Sequence, residues 1–435
     1  MGKSYALQTF GCQMNIHDSE RVRGLLAEAG WTEGDLPEVD AVILLTCCVR
    51  ESAEQRLYGH LSSLKPLKKR GTMIAVGGCL AQKEGVRLMQ RAPYVDVVFG
   101  THQYANIAFL LSQAGRGGIC ATAMSGARIT GLPSGRREDF RAWVTITNGC
   151  DNFCSYCIVP YVRGREESRS MEDIVREVVA LRAAGVKEIN LLGQNVNSFR
   201  RAEEGRSRFA DLLRLLGEGS PEPWIRFTTS HPRDFDSDIM LAIAETDNVC
   251  EYVHLPLQAG SDRILQAMNR GYGSREYLEK VRELRRLVPG VALSTDLIVG
   301  FPGETEEDFE ATMEMVELCR FDTSFTFLYN PREGTAAASL PDDVPAETKS
   351  ARLGRLMEAT RSATASSLRS EVGSEQTVLV YGPSRKDRQR WSARTRQNKL
   401  VHFKRTEDDL TGRYVRVLIA SAGSWSLHGE LLETL

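Results

Sequence analysis

The sequence predicts an α/β protein with three parts: an N-terminal doubly wound α/β domain, a central partial (βα)6 barrel and a small C-terminal all-β domain. Three observations lead to this prediction. The chain has 435 residues, which is enough for about three domains. Two long stretches alternate strand and helix patterns, as parallel sheets covered by helices do. The last stretch instead has short β-rich runs between Gly and polar turns, which favours a small barrel or sandwich.

Composition and charge are those of an ordinary globular protein. Apolar residues make up 42% of the chain and charged residues 26%, and the formal net charge is −2, which excludes a disordered chain. No apolar run approaches the ~20 residues that cross a bilayer, and the start MGKSYALQTFGC has no leader pattern. We therefore expect a cytoplasmic protein without a membrane segment, in which the ten cysteines are not mainly disulfides.

The N-terminal domain is predicted over residues 1–118. Its strand patterns lie at 5–9, 41–46, 72–76 and 95–99. Helical patterns separate them, and Asp18 is placed to cap the first helix. Three cysteines follow these strands within a few residues: Cys12, Cys47 and Cys79. Because the carboxyl ends of parallel strands meet at one edge of a sheet, we expect the three thiols to converge.

A Gly-rich, weakly periodic stretch predicts a linker over 119–138. The partial barrel is predicted over 139–368, because six strand–helix units are too few for a closed eight-stranded barrel. Its strand patterns lie at 142–147, 188–192, 225–229, 252–255, 292–299 and 323–328. A long helix predicted over 348–371 leads to the all-β domain, residues 369–435.

Cys150, Cys154 and Cys157 form a CxxxCxxC motif directly after the first strand of the barrel. Three thiolates so close together favour zinc, copper(I) or an iron–sulfur cluster. A structural zinc site normally takes further ligands from a second pair, and no such pair follows. The downstream cysteines, Cys250 and Cys319, lie in or beside apolar stretches and are predicted to be core residues. A cluster held by three thiolates leaves one iron open, as in radical S-adenosylmethionine (SAM) enzymes; structural zinc is the alternative.

Motifs spread over nearly the whole chain resemble those of the methylthiotransferases, which are radical SAM enzymes with a second cluster on an N-terminal domain. They are TFGCQMN, TCCVRESA, GGCLAQ, NGCDNFCSYCIVPYVRGREESR, LLGQNVNSF, FTTSHP, HLPLQAGSDRILQAMNRGY, STDLIVGFPGETEEDF, RTRQNKLVHF and SAGSWSLHGEL. The last two are similar to a TRAM domain. Among the branches, GCQMN with RFTTSHP resembles the MiaB family, which acts on tRNA. The threonylcarbamoyl-adenosine branch usually has GCKVN instead, and the ribosomal-protein branch GCPKN.

The resemblance implies two 4Fe-4S clusters, each with three cysteine ligands. The matching residues are Cys12, Cys47 and Cys79 for the auxiliary cluster, and Cys150, Cys154 and Cys157 for the radical SAM cluster. Cys48 stands beside Cys47, and aligning on Thr46 and Arg50-Glu51 makes Cys47 the ligand. Cys120 lies outside every motif and is predicted to be an ordinary thiol.

Four further positions are predicted to bind SAM. Tyr156 occupies the position that resembles the family's adenine contact. Gln194 and Asn195 end the second barrel strand, where their amides can hold the methionine moiety. Gly300 ends the fifth strand and can let the backbone approach the adenosine. For Tyr156, Gln194 and Asn195, packing within the fold is the alternative. The chain has Ala259 where the family usually has Ser, which puts any role of that hydroxyl in doubt.

A basic stretch over 384–405 is predicted to bind RNA. It holds nine Lys or Arg and one acidic residue, interleaved with aromatic residues. Charged groups can follow phosphates while aromatic rings stack on bases, and the TRAM resemblance favours this use. The predicted contacts are Arg385, Arg388, Trp391, Arg394, Arg396 and Lys399.

The resemblance implies a reaction on tRNA. A methylthio group would replace the hydrogen on adenine carbon 2 of N(6)-dimethylallyladenosine, in the anticodon stem-loop next to the anticodon. No side-chain base can ionise that C–H bond near neutral pH, so radical chemistry is expected. Two SAM molecules per turnover, a one-electron donor such as flavodoxin or ferredoxin, and iron–sulfur assembly proteins are implied, and a monomer is expected.

Two alternatives stay open. The same chemistry on threonylcarbamoyl-adenosine tRNA or on a ribosomal protein is one. A non-catalytic, zinc-stabilised RNA-binding protein is the other.

Overall fold

The computed structural model describes residues 2–48, 51–114, 117–124, 134–200, 207–218 and 222–435, without the side chains of 51–53. Part of the predicted linker, and Arg50 of the predicted motif, therefore lie outside the described residues. The chain forms two compact units. The first comprises Met1–Glu138, Thr147–Phe153 and Cys157–Arg169, and the second comprises Asp139–Ile146, Cys154–Tyr156 and Ser170–Leu435.

Strands and helices alternate until the last segment, which is all strand. The strands are β1 Ser4–Thr9, β2 Thr32–Glu33, β3 Ala41–Thr46, β4 Met73–Gly78, β5 Val97–Phe99, β6 Ile119–Ala121, β7 Arg141–Thr145, β8 Thr147–Asn148, β9 Glu167–Ser168, β10 Glu188–Leu192, β11 Trp224–Thr228, β12 Tyr252–His254, β13 Ala292–Val299, β14 Thr323–Leu328, β15 Glu375–Pro383, β16 Arg390–Thr395, β17 Leu400–Lys404, β18 Tyr414–Ala422 and β19 Leu427–Thr434. The α-helices are α1 Gln13–Glu28, α2 Glu51–Lys68, α3 Cys79–Glu84, α4 Val86–Arg91, α5 Ile107–Gln113, α6 Val159–Arg163, α7 Met171–Ala183, α8 Phe209–Gly217, α9 Ser237–Glu245, α10 Asp262–Ala267, α11 Ser274–Leu287, α12 Glu306–Cys319 and α13 Ala346–Arg369.

The first unit contains a six-stranded parallel sheet in the order β2-β1-β3-β4-β5-β6. Every residue of β3 is buried, which is why its sequence AVILLT is a continuous apolar run rather than an alternating one. Side chains of β3 enter two separate apolar clusters, one through Leu44 with Leu57 and the other through Ile43 with Leu26. The predicted doubly wound α/β domain is therefore confirmed.

Three details of this unit differ from the prediction. Strand β6 pairs with β5 and lies within the range predicted as a linker. The helical pattern over 81–91 predicts one helix, but the structure divides this stretch into α3 and α4 at Gly85, whose φ of 51° interrupts it. Asp18 does not cap α1. Cys12 holds the N-cap position, and Asp18 lies fully buried inside the helix.

The second unit contains a half-barrel of parallel strands. One sheet has the order β11-β10-β7 and another β12-β13-β14, and a bridge between Ile225 and Val249 connects the two. Alternate residues such as Ile189 and Leu191 join the apolar core with the helices. The alternate residues Glu188 and Asn190 of the same strand point to the opposite, inner face, where they are buried polar side chains. The predicted partial (βα)6 barrel is confirmed.

The C-terminal segment is a closed five-stranded barrel, β15-β16-β17-β19-β18. Its core contains Trp391, Phe403, Val415 and Leu427, all fully buried. This confirms the predicted small all-β domain and selects a barrel over a sandwich.

The small barrel packs against the half-barrel around a buried arginine, Arg226 of β11. Its Nε donates to Glu188 at 2.7 Å, and its Nη2 donates to the carbonyl oxygen of Thr395 in the small barrel at 2.8 Å. The Tyr381 hydroxyl of the small barrel donates to the same Glu188 carboxylate at 2.8 Å. Tyr414 packs against Trp224 with ring centroids 4.8 Å apart and an interplanar angle of 47°. These contacts cover the amino-terminal ends of the half-barrel strands with the small barrel.

Candidate functional site

The first set of predicted cluster ligands lies at the carboxyl edge of the sheet in the first unit. Cys12 follows β1 and caps α1, Cys47 follows β3, and Cys79 follows β4 as the first residue of α3. A hydrogen bond from the Cys47 thiol lowers the pKa of Cys12 to about 6, so these two sulfurs are neighbours. An added Cβ on Gly11 would lie 2.3 Å from the Cβ of Cys47, which requires glycine there.

Cys48 lies close to this set as well. Its thiol donates a hydrogen bond to Cys79, which lowers the pKa of Cys79 and raises the pKa of Cys48 well above its usual value. Among the described residues, no group of three or more Cys, His, Asp or Glu side chains already has the arrangement of a metal site. The assignment of Cys12, Cys47 and Cys79 as the ligands therefore stays a prediction. The chemistry of the donor set, thiols at a helix N-terminus, suits an iron–sulfur cluster.

A buried arginine, Arg163, lies beside these thiols. It ends α6, the short helix that follows the CxxxCxxC motif, and its side chain is 2% exposed. Its Nε donates to the Cys79 sulfur at 3.3 Å, and its Nη2 donates to Asp18 at 2.8 Å. Asp18 also accepts a hydrogen bond from Tyr104 at 3.0 Å. This network explains why Asp18 is buried, and it places a positive charge next to a predicted ligand.

The CxxxCxxC loop passes through both units. Cys150 and Cys157 belong to the first and Cys154 to the second. Cys150 is buried, and its N–H donates to the carbonyl oxygen of Gly164 at 3.2 Å. The preceding Gly149 has a φ of 77°, and a Cβ there would lie 2.1 Å from the Arg165 carbonyl oxygen, so only glycine fits.

Within the second unit, Arg270 plays the part that Arg163 plays in the first. It is buried, and its Nη1 donates to the Cys154 sulfur at 3.2 Å and to the Tyr156 hydroxyl at 3.3 Å. Its Nη2 donates to the Pro256 carbonyl oxygen at 3.0 Å. The guanidinium therefore fixes a predicted cluster ligand and a predicted SAM contact together. Sequence reasoning missed both arginines, because their partners are far away along the chain.

Three of the predicted SAM residues, Gln194, Asn195 and Gly300, follow the carboxyl ends of the half-barrel strands β10 and β13. Both polar atoms of the Gln194 side chain are buried and lack a hydrogen-bond partner among the described residues. The same holds for both polar atoms of Asn197, which sequence reasoning missed although it belongs to the same NVN run. Asn195 donates to Asp234 at 2.6 Å, and its Oδ1 is without a partner in the described part of the chain. Unsatisfied buried amides are costly, so a ligand with amino and carboxylate groups fits here.

Gly300 has a local explanation. Its φ is 75°, a Cβ would lie 2.4 Å from the Lys349 side chain, and its N–H donates to Glu304 at 2.8 Å. Packing therefore accounts for the glycine without a ligand.

Replacing Asn197 or Gln194 with Ala should weaken SAM binding. Removing either amide should lower the affinity for SAM about 10- to 100-fold, because hydrogen bonds to charged ligand groups are the strong ones. Equilibrium binding of SAM to the anaerobically reconstituted protein measures this. Asn190→Ala serves as the control, because Asn190 is a buried amide of β10 that already donates to Glu188 at 3.0 Å. If Asn197→Ala and Gln194→Ala both bind SAM as tightly as the parent protein, the assignment fails.

The predicted RNA residues separate into three groups. Arg385 and Arg388 are exposed. Trp391 is 0% exposed in the core of the small barrel, so its prediction as a stacking surface is wrong. The remaining three are engaged within the second unit: Arg394 donates to Asn398, Arg396 to Glu251, and Lys399 to Glu371.

Trp425 is the aromatic residue of the small barrel that sequence reasoning overlooked. It lies in the turn between β18 and β19 and is 61% exposed. The turn sequence GSWS around it is the pattern that could have identified it, because strand side chains alternate inward while turn side chains point out.

Comparison with known proteins first defines the class. Residues 144–316 match the Radical SAM superfamily, residues 4–100 match Uncharacterized protein family UPF0004, and residues 369–432 match the TRAM domain. The fold resembles the radical SAM methyltransferase TsrM from Kitasatospora setae, with a TM-score of 0.57, 15% identity and coverage of 78% of this chain and 77% of that one. It also resembles the cobalamin-dependent SAM radical enzyme OxsB, with a TM-score of 0.55, 12% identity and coverage of 81% and 56%. These likenesses show a radical SAM fold.

Full-length relatives then identify the family. A tRNA-2-methylthio-N(6)-dimethylallyladenosine synthase from Moorella thermoacetica is 47% identical over 99% of both chains. One from Syntrophomonas wolfei is 48% identical over 98% of this chain and 97% of the relative. The chain therefore belongs to the tRNA-2-methylthio-N(6)-dimethylallyladenosine synthase family of radical SAM methylthiotransferases, as the resemblance predicted. None of the described helices has the length and apolar character needed to span a membrane.

Proposed function

We propose that this chain is a tRNA methylthiotransferase. It replaces the carbon-2 hydrogen of N(6)-dimethylallyladenosine, next to the anticodon, with a methylthio group. One observation carries the proposal beyond family membership: two separate cysteine sets each have a buried arginine that donates to one sulfur. Arg163 donates to Cys79 and Arg270 donates to Cys154. Hydrogen-bond donors of this kind fix the orientation of metal ligands and adjust the properties of the bound metal. Each cysteine set therefore has the surroundings of a metal centre.

Two 4Fe-4S clusters and SAM, when bound, supply the one-electron chemistry, the sulfur and the methyl group. The chain's own residues bind and orient these groups. Cys12, Cys47 and Cys79 would hold one cluster, and Cys150, Cys154 and Cys157 the other. Asn197 and Gln194 would accept and donate hydrogen bonds to the amino and carboxylate groups of SAM. Tyr156 would contact its adenine, held in place by Arg270.

The domain division belongs to the same proposal. Residues 1–118 would carry the sulfur-donor site, 139–368 the radical-generating site and 369–435 the RNA-binding surface, with 119–138 between the first two. A flavodoxin or ferredoxin would deliver electrons, and iron–sulfur assembly proteins would load the clusters. The protein would act in the cytoplasm as a monomer on the anticodon stem-loop.

Nucleoside mass spectrometry is the decisive experiment. The reconstituted protein is incubated with SAM, a reductant and tRNA that carries N(6)-dimethylallyladenosine, and parallel reactions contain threonylcarbamoyl-adenosine tRNA or ribosomal protein. We expect the methylthio product with the first substrate alone. A product with either of the others instead would move the assignment to that branch. If the purified protein is colourless and contains zinc but no iron, the proposed enzyme function is wrong, and the alternative of a non-catalytic RNA-binding protein applies.

Reversing the charge of Arg385 and Arg388 should weaken tRNA binding. We expect the double Arg→Glu variant to bind tRNA about tenfold less tightly. The slope of log affinity against log salt concentration should correspond to about two fewer released ions, and SAM cleavage should be unchanged. A filter-binding titration at several salt concentrations measures both. Arg275 and Arg286 provide a matched control, because their side chains are 92% and 70% exposed on α11. If the two double variants lose the same tRNA affinity, the effect is one of general charge, and the assignment of Arg385 and Arg388 as tRNA contacts is wrong.

A further inference from the structure

One carboxylate, that of Asp296, faces the inside of the half-barrel from β13. Leu297 and Val299 of the same strand join the apolar core with the helices, so Asp296 points to the opposite, inner side. Its side chain is 28% exposed, and its Oδ2 lies 3.4 Å from Nε2 of His254 on β12. The carboxylate is therefore held by a neighbour and still open to the inside of the half-barrel.

A chain of hydrogen bonds ends on this carboxylate. Nδ1 of His254 lies 2.9 Å from the Ser294 hydroxyl, and that hydroxyl lies 2.7 Å from the hydroxyl of Tyr252. Tyr252 can donate to Ser294, and Ser294 can donate to His254. A neutral His254 then presents its remaining N–H to Asp296. This direction satisfies each group in turn and leaves the carboxylate as the acceptor at the end of the chain.

An aromatic ring lies next to the carboxylate. Phe325 of β14 is opposite Asp296 in the parallel register, and its ring meets that of His254 edge to face with centroids 6.0 Å apart. The Phe325 side chain is 42% exposed although it faces the inside of the half-barrel. Ligand sites combine apolar surface with a few well-placed polar groups, and here an open ring and an open acceptor stand side by side.

We propose that Asp296 and Phe325 are specificity-determining residues that recognise the substituted N6 of the base. Asp296 accepts a hydrogen bond from the N6–H, and Phe325 contacts the dimethylallyl arm. In that base a single N–H donor and a branched apolar arm share one nitrogen, which matches an acceptor beside a ring. The inference rests on the proposed function, which supplies the modified base.

The depth of Asp296 in the half-barrel agrees with this assignment. The residue lies three positions before the carboxyl end of β13, which is about 10 Å along the strand. The predicted SAM residues Gln194 and Gly300 follow the carboxyl ends of their strands. A purine ring therefore has room between the carboxylate and that edge, with N6 toward Asp296.

Exchanging one atom of the base tests the hydrogen bond. Three anticodon stem-loop RNAs of the same sequence carry N(6)-dimethylallyladenosine, adenosine or 6-(dimethylallyloxy)purine at the position next to the anticodon. The last keeps the arm but has an oxygen in place of the N–H. Fluorescence anisotropy measures their affinities for the full, reconstituted chain. The parent protein should bind the ether about 10- to 100-fold more weakly than the amine, because the carboxylate then meets no donor.

Asp296→Asn should reduce this preference for the amine over the ether to about threefold or less. An amide can accept from the N6–H and can also donate to the ether oxygen. Asp238→Asn is the control, because the Asp238 side chain is 34% exposed on α9 and pairs with Arg214 at 2.8 Å. It should keep the parent preference. A parent protein that binds both RNAs equally, or an Asp296→Asn variant that keeps the full preference, would overturn the role of Asp296.

Phe325→Ala should lower the preference for N(6)-dimethylallyladenosine over adenosine about tenfold, because the arm loses its apolar contact. Leu318→Ala is the control, since its side chain is 44% exposed on α12 and lies outside the half-barrel. If Phe325→Ala does not fold, Phe325→Leu decides the question with an expected loss of about threefold. An unchanged preference in the folded variant would overturn the role of Phe325.

Binding and turnover together separate this inference from the proposed function. A parent protein that prefers the dimethylallyl stem-loop but forms no methylthio nucleoside would defeat the proposed function and leave the base site standing. An active parent protein whose Asp296 and Phe325 variants keep both preferences would overturn the inference and leave the function standing.

Discussion

Replacing Arg226 with Leu should lower the free energy of unfolding by about 3–5 kcal/mol, because removing one member of a buried ion pair leaves the other charge unpaired. The side chains of Arg226 and Glu188 are 5% and 1% exposed and lie 2.7 Å apart. Glu188 would keep the hydrogen bonds from Tyr381 and Asn190 but lose its counter-charge. The carbonyl oxygens of Thr395 and Arg396 would lose their donor as well.

Urea denaturation followed by tryptophan fluorescence measures this change. The second unit contains Trp224 and Trp391, on the half-barrel and the small barrel, so both report on it. Arg286→Leu is the matched control, since its side chain is 70% exposed and its pair with Glu283 spans 4.0 Å. That variant should stay within about 0.5 kcal/mol of the parent protein. If Arg226→Leu costs no more than the control, the ion pair does not stabilise the fold.

Replacing Cys154 with Ala should abolish SAM cleavage, whereas replacing Cys12 with Ala should leave it intact. Both variants should fail to form the methylthio nucleoside, because one loses the predicted radical SAM cluster and the other the predicted sulfur donor. Iron should fall from about eight to about four atoms per chain in each variant, since each 4Fe-4S cluster contains four. Iron analysis, reductant-dependent SAM cleavage and nucleoside mass spectrometry are measured on the same preparations.

Cys120→Ala is the control for both variants. Cys120 is a partly buried thiol in β6, outside every motif, and its replacement should change neither iron content nor activity. Loss of SAM cleavage in Cys12→Ala to the same extent as in Cys154→Ala would contradict the division of labour between the two sets. An iron content of about four in the parent protein would contradict the presence of two clusters.

Local patterns predicted the fold well, because strand and helix patterns depend on features that are close in the sequence; the two cysteine sets stay a prediction from the same kind of pattern. The alternation of strands and helices can be recognised without any knowledge of distant contacts. The same is true of the position of each predicted ligand cysteine shortly after a strand. Asp18 shows where such reasoning fails. An aspartate before an apolar helical run has the pattern of an N-cap, and only its distant partner Arg163 explains its burial.

The RNA-binding prediction failed in part for a different reason. Trp391 stands among basic residues, which resembles a stacking surface, but β16 alternates strictly: Trp391, Ala393 and Thr395 are buried and the residues between them less so. That period of two was present in the sequence and was outweighed by composition. Arg396 and Lys399 could not have been excluded in this way, because their partners Glu251 and Glu371 are distant in sequence.

The buried contact between the small barrel and the half-barrel also limits how the RNA-binding module can evolve or be exchanged. A TRAM domain from elsewhere would have to bring an equivalent of Tyr381 and Tyr414 to satisfy Glu188 and cover Trp224. Without them, a carboxylate, an arginine and an indole ring at the end of the half-barrel would be uncovered. Substitutions on either side of this contact are therefore expected to be coupled in their effects on stability, so the small barrel cannot be exchanged independently of the half-barrel that it covers.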